Sequence, residues 1–235
     1  MPRRPESRGI CAYCGEVMTK RGVSKHMKTC TKLLESLVSA EKSDRPEENL
    51  WHLRVQDAYD KDFWLDLEMN GSASLEKMDA YLRAIWLECC GHLSQFTIGG
   101  WSGQKIGKAR KADSIFDLGL VLRHQYDFGT TSETDIKVVD VREGKALSRH
   151  PIALLARNKM PEMFCSECHQ PADCLCLQCL YEADEPEAAT WFFCDDHIDD
   201  HVENCAHDDY GDPLPLVNSP RMGMCGYDGP AEPPY

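Results

Sequence analysis

The chain has 235 residues, 13 cysteines and a formal net charge of −13, with 42% hydrophobic and 28% charged residues. Such a composition is ordinary for a folded globular chain and excludes a collagen-like or wholly disordered one. Apolar runs such as Gly119-Leu120-Val121-Leu122 are too short to span a bilayer, and no apolar stretch follows Met1-Pro2-Arg3-Arg4-Pro5 as a secretory signal would require.

The charge is unevenly placed. Residues 1–32 hold eight Lys/Arg against Glu6 and Glu16, while residues 161–235 hold Arg221 as their single cation against seventeen Asp/Glu. The head therefore suits a phosphate backbone. The acidic tail reads as solvated surface, or as a face for a basic partner. Cysteine-rich chains without a signal peptide point to thiolate metal ligands in a reducing compartment, so the expected location is cytoplasmic with no membrane partner.

Five segments follow in chain order: a basic tail and first Cys/His cluster (1–32), a linker (33–49), an α+β core (50–160), a second Cys/His cluster (161–210) and a Pro/Gly-rich C-terminal segment (211–235). In the first cluster the spacing is Cys11-x2-Cys14-x11-His26-x3-Cys30. A Cys-x2-Cys turn offers two thiolates from one knuckle, and a His and a Cys four apart on a helix offer two more ligands from one face. This is the pattern of a ββα-like zinc finger, with Met18 and Val23 as its small apolar core. One finger reads too few base pairs for a specific site. Lys20, Arg21, Lys25 and Lys28 are the nucleic-acid candidates, as phosphate contacts rather than base readers.

The linker begins with a short apolar helix-like stretch, Leu33 to Val38, and turns polar at Ser43-Asp44-Arg45-Pro46-Glu47-Glu48. In the core, alternation predicts strands at Trp51–Val55 and Phe63–Leu67, with a turn at Tyr59-Asp60-Lys61. Ser74 caps a helix whose apolar positions are Leu75, Met78, Leu82, Ile85 and Cys89, and Gly91 stops it. Cys89 and Cys90 then belong to that helix's packing. Further strands are expected at Phe96–Ile98, Val121–Phe128, Ile136–Val141 and Ile152–Ala156. The fold class is α+β: a mixed or antiparallel sheet with one main packed helix, flanked by the finger and by a C-terminal cross-brace zinc module.

That second cluster runs Cys165-x2-Cys168, Cys176-x2-Cys179, Cys194-x2-His197, then His201 and Cys205, eight ligands for two zinc ions. The short gap between the first two pairs favours crossing: Cys165, Cys168, Cys194 and His197 on one ion, Cys176, Cys179, His201 and Cys205 on the other. Sequential pairing is the alternative, and His169, Cys174 and His207 are nearby spares. The spacing resembles small cross-brace modules such as the B-box, which bind proteins. Three zinc ions are thus expected, with no small-molecule cofactor indicated. His197-Ile198-Asp199-Asp200-His201 has two His at metalloprotease spacing, but Ile198 stands where the general base belongs. No catalytic residue is assigned. Arg221 reads as an internal salt-bridge partner and Asp127 as a strand-end residue. Cys225 reads first as a buried thiol, then as a late ligand or a redox site.

Several strings resemble the plasmid ORF-three-like family: Tyr126-Asp127-Phe128-Gly129-Thr130-Thr131, Ile136-Lys137-Val138-Val139, and Leu155-Ala156-Arg157-Asn158 running into Cys165-Ser166-Glu167-Cys168. The last is Val217-Asn218-Ser219-Pro220-Arg221-Met222-Gly223-Met224-Cys225-Gly226-Tyr227. The resemblance covers about residues 50–229. It implies an α+β domain followed by a Cys-rich zinc segment, in relatives carried by plasmids and insertion elements, and brings no established activity. Thr130 and Ser132 stand where the family's Tyr-Asp-Phe-Gly-Asp-x-Trp form has Asp and Trp. The expected function is that of an interaction or adaptor protein with a protein partner, linked to mobile elements or host defence. The alternatives are a nucleic-acid-binding regulator acting through residues 1–32, and an enzyme with a cleft in the core near Asp127 and Asp140.

Overall fold

A computed structural model describes residues 6–183, 190–205 and 210–235. Arg3 and Arg4 of the basic head and the spare His207 lie outside the described residues. The longest element of structure is an antiparallel sheet of nine strands: β1 (Arg8–Cys11), β2 (Val17–Thr19), β3 (Glu47–Asp57), β4 (Trp64–Asn70), β5 (Ser94–Ile98), β6 (Gln104–Ile106), β7 (Val121–Tyr126), β8 (Ser132–Lys145) and β9 (Ile152–Asn158). Their spatial order is β2-β1-β9-β4-β3-β8-β7-β5-β6. The fold is mixed α and β, with few helices.

The alternation of β3 sets its register. Leu53 and Val55 are fully buried, and they pair with Leu67 and Leu65 of β4 on one side and with Val138 and Ile136 of β8 on the other. Helix α3 (Leu75–Leu82) covers this face through Leu75, Met78 and Leu82, as the periodicity requires. The chain then widens into one π-helical turn, Arg83–Leu87, which places Ile85, Trp86 and Leu87 in succession against the core. Glu88 leaves the helical region, and Gly91 reverses the chain at φ 79°. The helix therefore ends before Cys89. Cys89 still packs, half-buried, against the core as expected, whereas Cys90 is exposed and its assignment to that packing does not hold.

β4 departs from simple alternation. Trp64, Leu65, Asp66, Leu67, Glu68 and Met69 are all buried, because both faces of this strand are covered. Trp64 packs on the second face with Cys11, Met18, Val23 and Leu33. Asp66 accepts bonds from Arg54 (Nε, 2.6 Å) and His52 (Nε2, 2.6 Å), and Glu68 binds Arg142 at 2.8 and 2.9 Å, so the buried carboxylates are paired. The helix-like stretch expected at Leu33–Val38 lies within α2 (Thr31–Glu41), whose Leu33 and Ala40 are buried, so that of the expected linker only residues 42–46 connect α2 to β3.

The C-terminal part carries a small sheet, β11-β10-β12, made of β10 (Cys174–Leu175), β11 (Phe192–Phe193) and β12 (Leu214–Pro215), with α4 (Leu177–Glu182) and α5 (Asp195–Asn204). Among the described residues no helix is long and apolar enough to cross a membrane.

Candidate metal centres

The first Cys/His quartet grows out of the sheet edge. β1 ends at Cys11, and a turn closed by Gly15 N to Cys11 O (3.0 Å) returns the chain into β2. Gly15 has φ 73°, a conformation glycine adopts without a Cβ penalty. Thr19 Oγ1 accepts from Gly22 N (3.2 Å) and starts the 3-10 turn that leads into α1 (Val23–Met27), which carries His26. Cys30 does not share that helix, contrary to the expectation of one helical face. It lies beyond the end of α1, as the extended N-cap of α2, with its N–H bonded to His26 O at 2.8 Å. The break still brings four ligand atoms together: Cys11 Sγ lies 3.9 Å from Cys30 Sγ, and Cys14 Sγ 3.4 Å from His26 Nε2. Glu16 faces His26 Nδ1 at 3.3 Å, the outer-shell carboxylate that orients a ligating imidazole. Met18 and Val23 are buried beneath, as expected.

The candidate phosphate contacts are dispersed. Lys20 is half-buried and donates to Gln56 Oε1 (2.7 Å) and Lys61 O (2.9 Å); burial, with Arg54 and Lys61 nearby, pulls its ammonium down to about 8. Lys28 Nζ stands 4.0 Å from Asp140, and Arg21 Nε 3.5 Å from Glu6. Lys25 is exposed on α1.

The second and third quartets share α5. At its start Cys194 is the N-cap, and one turn on His197 presents Nδ1 at 3.2 Å from Cys194 Sγ. Cys165 and Cys168 complete this group, with Cys168 Sγ 3.7 Å from Cys194 Sγ and Cys165 Sγ 3.9 Å from His197 Nδ1. Burial opposes ionisation of Cys165, but backbone N–H groups of Cys168, Cys194 and Glu167 outweigh it and bring the thiol to about 6. At the other end of α5, His201 presents Nε2 at 3.4 Å from Cys179 Sγ, and Cys205 lies 3.9 Å from Cys179 and 4.0 Å from Cys176. Cys176 caps α4, and its Sγ accepts from Cys179 N at 3.4 Å. His197 and His201 thus belong to different groups, and the two do not converge on one ion as metalloprotease histidines do. The geometric reason is that each lies one turn from a cysteine at its own end of the helix.

A tetrahedral ion with metal–sulfur bonds of about 2.3 Å holds its sulfurs about 3.8 Å apart. The sulfur pairs above, at 3.7–4.0 Å, match that spacing and are far beyond the S–S bond of about 2 Å. Each group is able to hold a metal ion. Cys174, a spare in the sequence, stays outside them: its Sγ faces Phe193 O at 3.4 Å, and burial pushes it up to about 11. His169 belongs to none of these groups and sits at φ 58° in the first knuckle turn.

A fourth group has the same character. Cys89, Cys90, His92 and Cys225 place their ligand atoms within 4.8 Å of one another. Sequence spacing missed it because no two of these residues form a Cys-x2-Cys knuckle and Cys225 is distant in the chain. Cys225 is exposed, so its first reading as a buried thiol is corrected. Arg221, by contrast, is the internal ion-pair partner expected: fully buried, with Nη2 2.8 Å from Asp127 Oδ2. Asp127 directly follows β7 at φ 63° and accepts from Gly129 N at 2.9 Å. A hollow of about 340 Å³ along β9 is lined by Ile10, Leu154, Arg157 and Asn218 among others, and by neither Asp127 nor Asp140.

No family model matches this chain, and no curated protein does. A crystal structure of a protein of unknown function from Methanosarcina mazei is similar over 44% of this chain and 66% of that one, with 15% identity and a TM-score of 0.38. The matched region is thus just under two thirds of that chain's length.

Proposed function

We propose that this protein is an intracellular zinc-stabilised interaction module. Cys11, Cys14, His26 and Cys30 form its finger, and the groups at the two ends of α5 form a cross-brace, giving three structural zinc ions. The observation that carries the reading is the division of His197 and His201 between two closed Cys3His groups. Four protein ligands leave no open position for a reacting water, which is the signature of a structural rather than a catalytic zinc. Thiolate-rich sites select zinc over harder cations. The resemblance to the plasmid ORF-three-like family supports a setting among mobile elements or host defence.

The partner is a protein with a basic face. Asp195, Asp196, Asp199, Asp200 and Glu203 are exposed along α5, and such a field attracts cations and repels phosphate. The rival reading, retention of nucleic acid through the finger, rests on Lys25 and Arg21, since Lys20 and Lys28 already face sheet groups. Fluorescence anisotropy with the zinc-loaded chain decides between them. A lysine-rich peptide is expected to bind, and to be lost when Asp195, Asp196, Asp199 and Asp200 become Asn. Salt-sensitive binding of a DNA duplex, abolished by Lys25→Ala with Arg21→Ala, would overturn the protein-partner reading in favour of the regulator.

A further inference from the structure

The turn after the π-helical segment and the C-terminal segment meet at a cluster that the three expected zinc sites do not use. Cys89 Sγ lies 3.6 Å from Cys90 Sγ, and Cys90 Sγ lies 3.7 Å from Cys225 Sγ. His92 Nε2 is 2.9 Å from Cys90 Sγ and 3.6 Å from Cys225 Sγ. These sulfur spacings are again those of a tetrahedral thiolate site and not of a disulfide.

Two further observations point to a ligand. Cys225 holds φ 55°, a left-handed conformation uncommon for a residue with a Cβ, which a structure retains where something over-determines it. Its flanks are built to keep it there. Gly223, at φ 79°, passes so close to Leu180 that a Cβ would stand 2.7 Å from that side chain, and Cys225 N donates to Tyr181 Oη at 2.9 Å. The second observation is charge. Three thiolates and a neutral imidazole around a divalent ion leave one net negative charge, and Arg221 Nη2 approaches Cys89 Sγ at 3.4 Å from the buried side. Asp127 Oδ2 stands 3.4 Å from His92 Nε2 but is held by Arg221, outside the ligand set.

We propose that Cys89, Cys90, His92 and Cys225 bind a fourth zinc ion, which fastens the C-terminal segment to the α+β core. Each thiol that binds gives its proton to solvent, and no redox step is involved. The ion bridges a turn of the core to a segment more than 130 residues later, and Tyr181 ties that segment to α4, which carries Cys179 of the third group. The site rests on different residues from the three-zinc reading and stands or falls apart from it.

The test is the zinc content of the full chain, purified with a thiol reductant, by inductively coupled plasma mass spectrometry. Cys225→Ser is expected to lose one zinc equivalent relative to the unsubstituted chain, and Cys225→His, which restores a ligand, to regain it. Cys14→Ser reports separately on the finger. Equal zinc in Cys225→Ser and the unsubstituted chain overturns the proposal and leaves the three-site reading intact. A second measurement needs no variant. Cys90 and Cys225 are exposed, so as free thiols they would be alkylated by iodoacetamide at the same rate with or without zinc(II). At least a tenfold protection by zinc(II), removed by a chelator, is expected; equal rates would reject the site.

Discussion

Arg221 anchors the C-terminal segment to the core. Its guanidinium is fully buried, pairs with Asp127, donates to Thr130 O (3.0 Å) and Ser132 Oγ (2.9 Å), and lies over the Tyr126 ring at 4.9 Å. Removing one partner of a buried pair strands the other charge, so Arg221→Ala is expected to cost about 3–5 kcal/mol in urea denaturation. Arg221→Lys should recover little of it, because an ammonium cannot fork between these acceptors. His124 makes a second prediction. It is fully buried, its Nε2 bonds Asp79 Oδ1 at 2.7 Å, and its Nδ1 has no hydrogen-bond partner. Burial lowers its pKa, outweighing the attraction of Asp79. The folded chain therefore holds His124 neutral while the unfolded chain protonates it below about pH 6.5. The stability it contributes is complete above that pH and falls as the pH drops through and below it. Urea midpoints between pH 7 and 5 are expected to decline less steeply in His124→Gln. Both chains carry the same Cys/His groups, so metal loss cancels in the comparison, and equal slopes would reject the assignment.

The first hairpin is an element of the main sheet and not a separate bead on a linker. β1 pairs with β9 through Gly9, Ile10 and Cys11, and the hairpin's apolar side rests on Trp64. Gly9 makes that contact possible: a Cβ there would lie 2.3 Å from Trp64 Cη2 and 2.4 Å from Arg157 O. Gly9→Ala is expected to destabilise the chain by about 1–3 kcal/mol, the range for overpacking, and to shift Trp64 fluorescence. Unchanged stability would mean that the hairpin docks elsewhere. The apolar periods of β3, α3, β7 and β8 were readable because one face of each meets the core. β4 was readable as a strand in the same way, but the burial of Trp64, Asp66 and Glu68 on its other face was not, nor was the π-helical turn, since a second covered face or a change of helical pitch leaves no simple period in the sequence.

For the whole molecule, metal and fold are expected to be linked. Among the described residues, four groups able to hold an ion lie at the sheet edge, at both ends of α5 and at the joint with the C-terminal segment. A ligand that binds only the folded chain stabilises it by mass action, about 2.7 kcal/mol at a hundredfold excess over Kd. Melting in the presence of a strong zinc chelator is therefore expected at a lower temperature, with recovery on adding zinc(II) and none on adding magnesium; a melting point indifferent to both would remove zinc from the architecture.

Local spacing alone announced the first Cys/His quartet and the eight Cys/His positions of the two C-terminal groups, because a knuckle places two thiolates by its own turn. The ionic role of Arg221 was legible too, since one cation in a long acidic stretch has few uses other than neutralising a carboxylate. Tertiary structure decided the crossed grouping, already favoured by the short gap between the first two pairs, against sequential pairing, through which end of α5 each knuckle reaches. It also decided that Cys30 leaves the helix of His26, that the hairpin joins the sheet, and that Cys89, Cys90, His92 and Cys225 meet. Such convergence is set by strand order and chain reversals across more than a hundred residues, and no period or spacing in the sequence encodes it.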